Sequence, residues 1–361
     1  KELVCTNKFG TPVRTPEGQA HFRPSLGLRA AGNGNEISAT VARGLAAADT
    51  SDLKDYGTTQ LPQWGYAALD HFCREVVEQG GKNDAAKTKA IEVLTFLNDR
   101  RLATGTKKRS STLQVVRESL TALFNTAPKI NVNGSSLYRQ IDWSTRDALR
   151  PPQQPEKILV VNAREFPPEG DTCDARLICA AYKLGWRQFL CYGYKGQRFT
   201  GCGLLDNTDG VRIDVYDSSG DYLASGIDGL EIHVHGNAQD QLGQIMKRGK
   251  LVIYGDVGQT FMYGAKGGEV YVLGNAAGRP LINAAGNPRV VINGTCLDYL
   301  ARSQDRPSVD YFVHELKSKD NRMVNRAAVA LSRMKDPSAI RPLPFGGGHR
   351  FRSRTCWARA R

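Results

Sequence analysis

The chain has 361 residues, 40% of them hydrophobic, and a formal net charge of +13. Counting its 37 glycines, about half of the chain is apolar, the proportion of a folded globular protein, which excludes global disorder. No run approaches the ~18 uninterrupted apolar residues of a membrane span, and residues 1–30 lack the pattern of a signal peptide, so a soluble, cytoplasmic protein is expected. The first residue is Lys1 rather than Met, as in a processed chain or a fragment.

In chain order, the first sixty residues are rich in Gly, Pro and Thr, with one helix expected from Ile37 to Ala48. The GNGN run at 32–35 has no strand before it and no Gly-Lys-Ser/Thr after it, so it reads as a turn and not a phosphate cradle. Between about 60 and 127 apolar residues recur at helical spacing in three stripes: Leu69, Phe72, Cys73, Val76 and Val77; Val93, Leu94 and Leu97; and Leu113, Val116, Leu120, Leu123 and Phe124. Residues 1–127 are therefore expected to form a separate, mainly helical region. The prolines at 128, 151, 152 and 155 mark 128–157 as a linker.

At Lys157 the texture changes. KILVVNA (157–163) reads as a buried strand, Asp171 or Thr172 as the cap of a helix running to Leu184, and Gln188–Tyr192 as a second strand. From about residue 210 the sequence repeats itself. Arg212–Asp217, Glu231–Gly236, Lys250–Gly255, Glu269–Gly274 and Arg289–Gly294 align at offsets of 19, 19, 19 and 20. Two columns, Ile213/Ile232/Leu251/Val270/Val290 and Val215/Val234/Ile253/Val272/Ile292, are wholly aliphatic and two residues apart, the period of a strand.

A 19-residue unit whose strand cannot bury its own face must stack on its neighbours, and that length suits a coil of three short strands with corners. The expected fold is thus mainly β, a parallel β-helix (β-solenoid, about 19 residues per coil) over 158–300 with a strand–helix–strand lead-in. Gly236, Gly255, Gly274 and Gly294 end the strands and Gly229, Gly249 and Gly268 precede them, as structural turn residues tolerant of left-handed backbone. Asp217 takes the strand-ending place in the first unit.

The lead-in DARLICAAYKLGWRQFLCYGYKGQRF (174–199), GQRFTGCGL (196–204) and the glycine-punctuated run from Gly229 to Leu281 resemble the C-terminal glycine-repeat (GXGXG) domain of the glutamate synthase large subunit, a family related to one of the subunits of formylmethanofuran dehydrogenase. The resemblance spans about residues 158–300 and implies a right-handed β-helix that braces other domains. It implies a structural or docking part of a glutamate-synthase-like oxidoreductase, with FMN and an iron–sulfur cluster on a catalytic partner subunit. None of that family's catalytic residues carries over, since Cys5 has no amidotransferase-like context. The alternatives are a scaffold like the formylmethanofuran dehydrogenase subunit and an RNA-binding protein acting through its tail.

Cys5, Cys73, Cys173, Cys179, Cys191, Cys202, Cys296 and Cys356 contain no two-residue-spaced pair, so neither a zinc ribbon nor an iron–sulfur run is expected. His233 and His235 share the strand face opposite the aliphatic columns, but with no third ligand nearby they read as partner-facing surface, together with exposed Tyr254 and Tyr271. No catalytic, cofactor-binding or metal residue is assigned, and neither a membrane nor a nucleic acid is the expected partner. Residues 301–361 hold 14 Lys and Arg against 5 Asp and Glu. This basic tail reads as capping helices over 307–334 or as an aberrant end, and Arg350, Arg352, Arg354, Arg359 and Arg361 beside Trp357 carry the RNA-binding alternative.

Overall fold

The computed structural model describes residues 34–293 together with His314, Ala327 and Leu331. Gly294, the remainder of the 301–361 tail with its arginine cluster, and Cys5, Cys296 and Cys356 lie outside the described residues.

Among the described residues five helices precede the first strand: α1 Gly34–Ala46, α2 Ser51–Gln60, α3 Tyr66–Gly80, α4 Asp84–Asp99 and α5 Arg109–Phe124. The three apolar stripes meet as their periodicity requires, with Phe72 and Val76 of α3, Leu94 and Leu97 of α4 and Leu120 and Leu123 of α5 in one buried core. The Asn83 side chain caps α4 by accepting from the Ala86 amide at 2.9 Å. The short helix α2 was not expected; it buries only Leu53 and Gly57, too few residues to make a stripe.

All eight strands form one parallel sheet in chain order: β1 Tyr138–Ile141, β2 Ile158–Asn162, β3 Gln188–Tyr192, β4 Arg212–Val215, β5 Asp228–Val234, β6 Arg248–Ile253, β7 Glu269–Val272 and β8 Arg289–Ile292. Each strand pairs with the next in sequence, so the chain must return to the same edge every time and winds as a β-solenoid of about eight turns. Arg212 pairs with Glu231, Glu231 with Lys250, Lys250 with Glu269 and Glu269 with Arg289, which reproduces the repeat read from the sequence. The step from β2 to β3 is longer because helix α6, Asp174–Lys183, fills it.

In the coils that follow β4, two further flanks complete the turn. Bridges join Ser219, Ala238, Val257 and Ala276, and on the third flank the amides of Gly243, Met262 and Leu281 donate to the carbonyls of Leu223, Leu242 and Phe261. The aliphatic columns line the enclosed interior, and Ile213, Ile232, Leu251 and Val270 have no exposure at all.

Several expectations are corrected. Residues 128–157 are not a linker: they contain β1, which pairs in register with β2, and a bridge joins Lys129 to Gln140. The prolines lie in the connections on either side of that strand. Neither Asp171 nor Thr172 caps α6, which starts at Asp174 because residues 170–173 close their own turn, the Cys173 amide donating to the Gly170 carbonyl at 3.3 Å.

The two glycine columns serve different needs. Gly229, Gly249 and Gly268 do take left-handed backbone, with φ of +118°, +109° and +89°. Gly236, Gly255 and Gly274 do not; a Cβ there would lie 2.3, 2.5 and 2.3 Å from a carbonyl oxygen of the preceding coil. These residues are glycine because backbones approach closely. Much of the left-handed backbone falls instead on residues with side chains, Tyr222, Gln241 and Thr260 among them. Their amides turn to donate to the following coil, at Asp240, Gln259 and Gly278, which repays the conformational cost with a coil-to-coil hydrogen bond.

Candidate functional site

The outer face of the sheet, where sequence reasoning puts the partner surface, is occupied by the chain's own helices. Tyr138, Val160, Leu190, Tyr192 and Tyr216 project from it into the helical core. Helix α4 crosses the strands and reads them in turn through one polar stripe. Asp84 accepts from Ser136 Oγ at 2.8 Å, Thr88 meets the Tyr138 hydroxyl at 2.7 Å, Thr95 meets the Tyr216 hydroxyl at 2.9 Å, and Asp99 meets His235 at 2.8 Å.

The dimensions explain the fit. Fifteen residues of α-helix rise about 22 Å at ~1.5 Å per residue. Strands β1 to β5 are four steps of ~4.8 Å apart, about 19 Å. A straight helix laid across them therefore presents successive turns to successive strands.

His235 is the centre of the densest cluster. It is 3% exposed, with Nδ1 at 2.8 Å from Asp99 Oδ2 and Nε2 at 3.2 Å from Asp214 Oδ1. Asp214, itself 7% exposed, is held by two hydrogen bonds of 2.8 Å from Arg212. Asn98 donates to the His235 carbonyl at 2.8 Å and accepts from Arg117 of α5 at 2.9 Å. The imidazole lies between Tyr216 and Tyr254, with ring centroids 4.3 and 5.1 Å away.

Burial alone would push His235 down, but hydrogen bonds to Asp214 and Asp99 reverse that and raise it to about 9. Burial would likewise push Asp214 up, yet its bonds from Arg212 and His235 hold it well below the usual carboxylate range. At neutral pH His235 is therefore the protonated centre of a hydrogen-bonded chain that runs from Asp99 through His235 and Asp214 to Arg212, closed to solvent at its centre. Such an arrangement joins two structural units and leaves no face of the imidazole for substrate.

His233 and His235, expected as partner-facing surface, are thus buried, and that expectation is corrected. His233 is 8% exposed, with Nε2 2.5 Å from Glu231 and Nδ1 3.4 Å from the Tyr254 hydroxyl, and burial keeps its imidazole below the ordinary range. Tyr254 and Tyr271 are half-buried rather than exposed. Tyr271 donates to Glu269 of its own strand at 2.7 Å. Sequence reasoning missed Asp99, Asp214, Arg212 and Tyr216. The aligned repeats already hold Tyr216, His235 and Tyr254 in one outward column, but nothing in the sequence marks Asp99 as their neighbour.

Cys73, Cys173, Cys179, Cys191 and Cys202 are free thiols. Burial pushes Cys73 and Cys202 up to about 12, which keeps them protonated and poor as metal ligands. Among the described residues no group of three or more His, Cys, Asp or Glu side chains is placed to hold a metal ion, and no helix is long and apolar enough to cross a membrane.

No curated protein and no solved structure is significantly similar to the chain. Residues 193–301 match the family described as GXGXG motif. That segment starts between β3 and β4, runs through all the 19-residue coils and contains His235 and Asp214. Residues 193–301 of this chain thus match the GXGXG motif family, the family of the glutamate synthase C-terminal domain.

Proposed function

We propose that the chain is a structural and docking part of a glutamate-synthase-like oxidoreductase, whose catalytic centre, FMN and iron–sulfur cluster reside on a partner polypeptide. The observation that carries this reading is the family match of the coils, joined to the way the solenoid face accepts a helical unit through hydroxyl, carboxylate and imidazole groups. The chemistry of docking is therefore built into this face. The part of it that remains available lies past His235, at Tyr271 and at Val291, which is 44% exposed. Aromatic and aliphatic side chains of this kind suit the core of a protein interface.

A native pull-down of the tagged full chain from its own source, with mass spectrometry and a visible spectrum of the eluate, tests the proposal. Recovery of a flavin- or iron–sulfur-bearing synthase polypeptide, diminished by Tyr271→Ser with Val291→Ser, is the expected result. A colourless, partnerless chain overturns it.

A further inference from the structure

The first strand breaks the pattern of the other seven. The interior column is aliphatic or aromatic in β2 to β8, from Leu159 and Phe189 to Val290, but at β1 the same position is Arg139. This arginine is 1% exposed. Its Nε donates to Glu156 at 2.5 Å and its Nη2 to the Gly134 carbonyl, while the buried Nη1 has no hydrogen-bond partner in the protein.

Glu156 does not balance the charge there. Its carboxylate also accepts from Arg150, Nη1 at 2.6 Å and Nη2 at 2.8 Å, and from the Gln153 amide at 2.9 Å. These hydrogen bonds, with Arg150 foremost, hold Glu156 down at about 2, so it is ionised throughout the physiological range. Two guanidinium groups share one carboxylate, and the group keeps one positive charge.

A cavity of about 210 Å³ adjoins it. Arg139 and Arg150 form part of its wall together with Asn131, Asn133 and Gln153, and no lining residue carries a carboxylate. A buried guanidinium nitrogen without a partner costs more than a neutral donor would, so the fold gains when a negatively charged acceptor reaches it. The volume falls below that of pockets for drug-sized ligands, which limits the occupant to a small molecule or ion.

We propose that this cavity at the β1 end of the solenoid is a binding site for a small oxyanion, carrying a carboxylate or a phosphate. Arg139, buried and with Nη1 unpartnered, and Arg150 supply the positive charge of this wall, and Asn131, Asn133 and Gln153 complete the lining. The site is independent of the His235 cluster, from which it differs in having an open wall and an uncompensated charge.

The test is calorimetric titration of the full chain with inorganic phosphate and, separately, with malonate, in a low-chloride buffer. Saturable one-site binding by either probe is expected; phosphate alone identifies a phosphate-bearing ligand, and malonate alone a carboxylate. Because replacing Arg139 would disturb folding, Gln153→Glu and Asn133→Asp serve as variants, each adding a negative charge at an exposed lining position. Both should weaken binding about tenfold or more while leaving the thermal midpoint of the unliganded chain unchanged. Absence of saturation by both probes at millimolar concentration, or affinity unaltered in both variants, overturns the proposal.

Discussion

Asp99, the last residue of α4, meets Nδ1 of His235, the residue that follows β5, across 2.8 Å and 136 positions of sequence. The contact couples part of the helical unit's attachment to the solenoid to one proton. Because the folded His235 is raised to about 9 from an ordinary 6.5, its stabilising contribution is complete below about pH 6.5 and is lost as pH rises through about 9. A shift of that size is worth on the order of 3 kcal/mol. The charged and titratable groups around it are Asp99 of α4, Arg212 and Asp214 of β4, Glu231 and His233 of β5, Arg117 of α5, and Tyr216 and Tyr254. Urea unfolding between about pH 7 and 10 should show a steeper loss of stability in the wild type than in His235→Gln. Parallel profiles would refute this role.

Removing the imidazole outright should be costlier than neutralising one acid. His235→Leu leaves Asp99 and Asp214 facing an apolar side chain inside the protein, and a loss of about 3–5 kcal/mol is expected. Asp99→Asn keeps the Asp214 contact and should cost less. Limited proteolysis should cut within residues 34–127 earlier in both variants than in the wild type, and equal resistance would show that α4 is held by its other contacts.

The two kinds of glycine predict two magnitudes. Gly210 has φ of +81° with open space around the Cβ position, so Gly210→Ala should cost only the left-handed strain of about 1–2 kcal/mol. Gly236→Ala places a methyl group 2.3 Å from the Asp217 carbonyl oxygen and must push two coils apart, at about 3 kcal/mol or more. Urea midpoints rank the two variants, and the reverse order would contradict the close-approach explanation.

Asp174 is fully buried in the first turn of α6, and neither carboxylate oxygen has a well-formed hydrogen bond. Burial pushes its carboxyl up to about 7 from 3.8, so keeping it folded costs progressively more stability between those values and a constant amount above them. Asp174→Asn should therefore stabilise the protein by about 1–3 kcal/mol near pH 8 and by less near pH 5. A variant less stable at both values would show that the carboxylate has an essential partner.

The solenoid was legible because its interior obeys one rule repeated at a fixed interval. Ile232, Leu251 and Val270 occupy equivalent environments, and a repeat is visible without knowing any contact between coils. β1 escaped because its coil has Arg139 where the others have apolar residues, and because the prolines flanking it resemble those of a linker. The flank cluster escaped for a different reason. Asp84, Thr88, Thr95 and Asp99 form a polar stripe on α4, and polar stripes on helices ordinarily face solvent; only the crossing of α4 over the sheet turns this one inward. The surface that covers His235 comes from more than a hundred residues earlier, and nothing local in the sequence announces it.

The crossing of α4 also decides where this fold can change its length in evolution. Inside the coil stack any 19-residue period is interchangeable with the next, so gene duplication or deletion of one period would leave the interior packing whole. On the outside the periods carry distinct addresses, and losing one between β4 and β6 would set Thr95 and Asp99 against the wrong rungs. Copy number can drift without penalty only beyond the reach of the helix, toward β7 and β8.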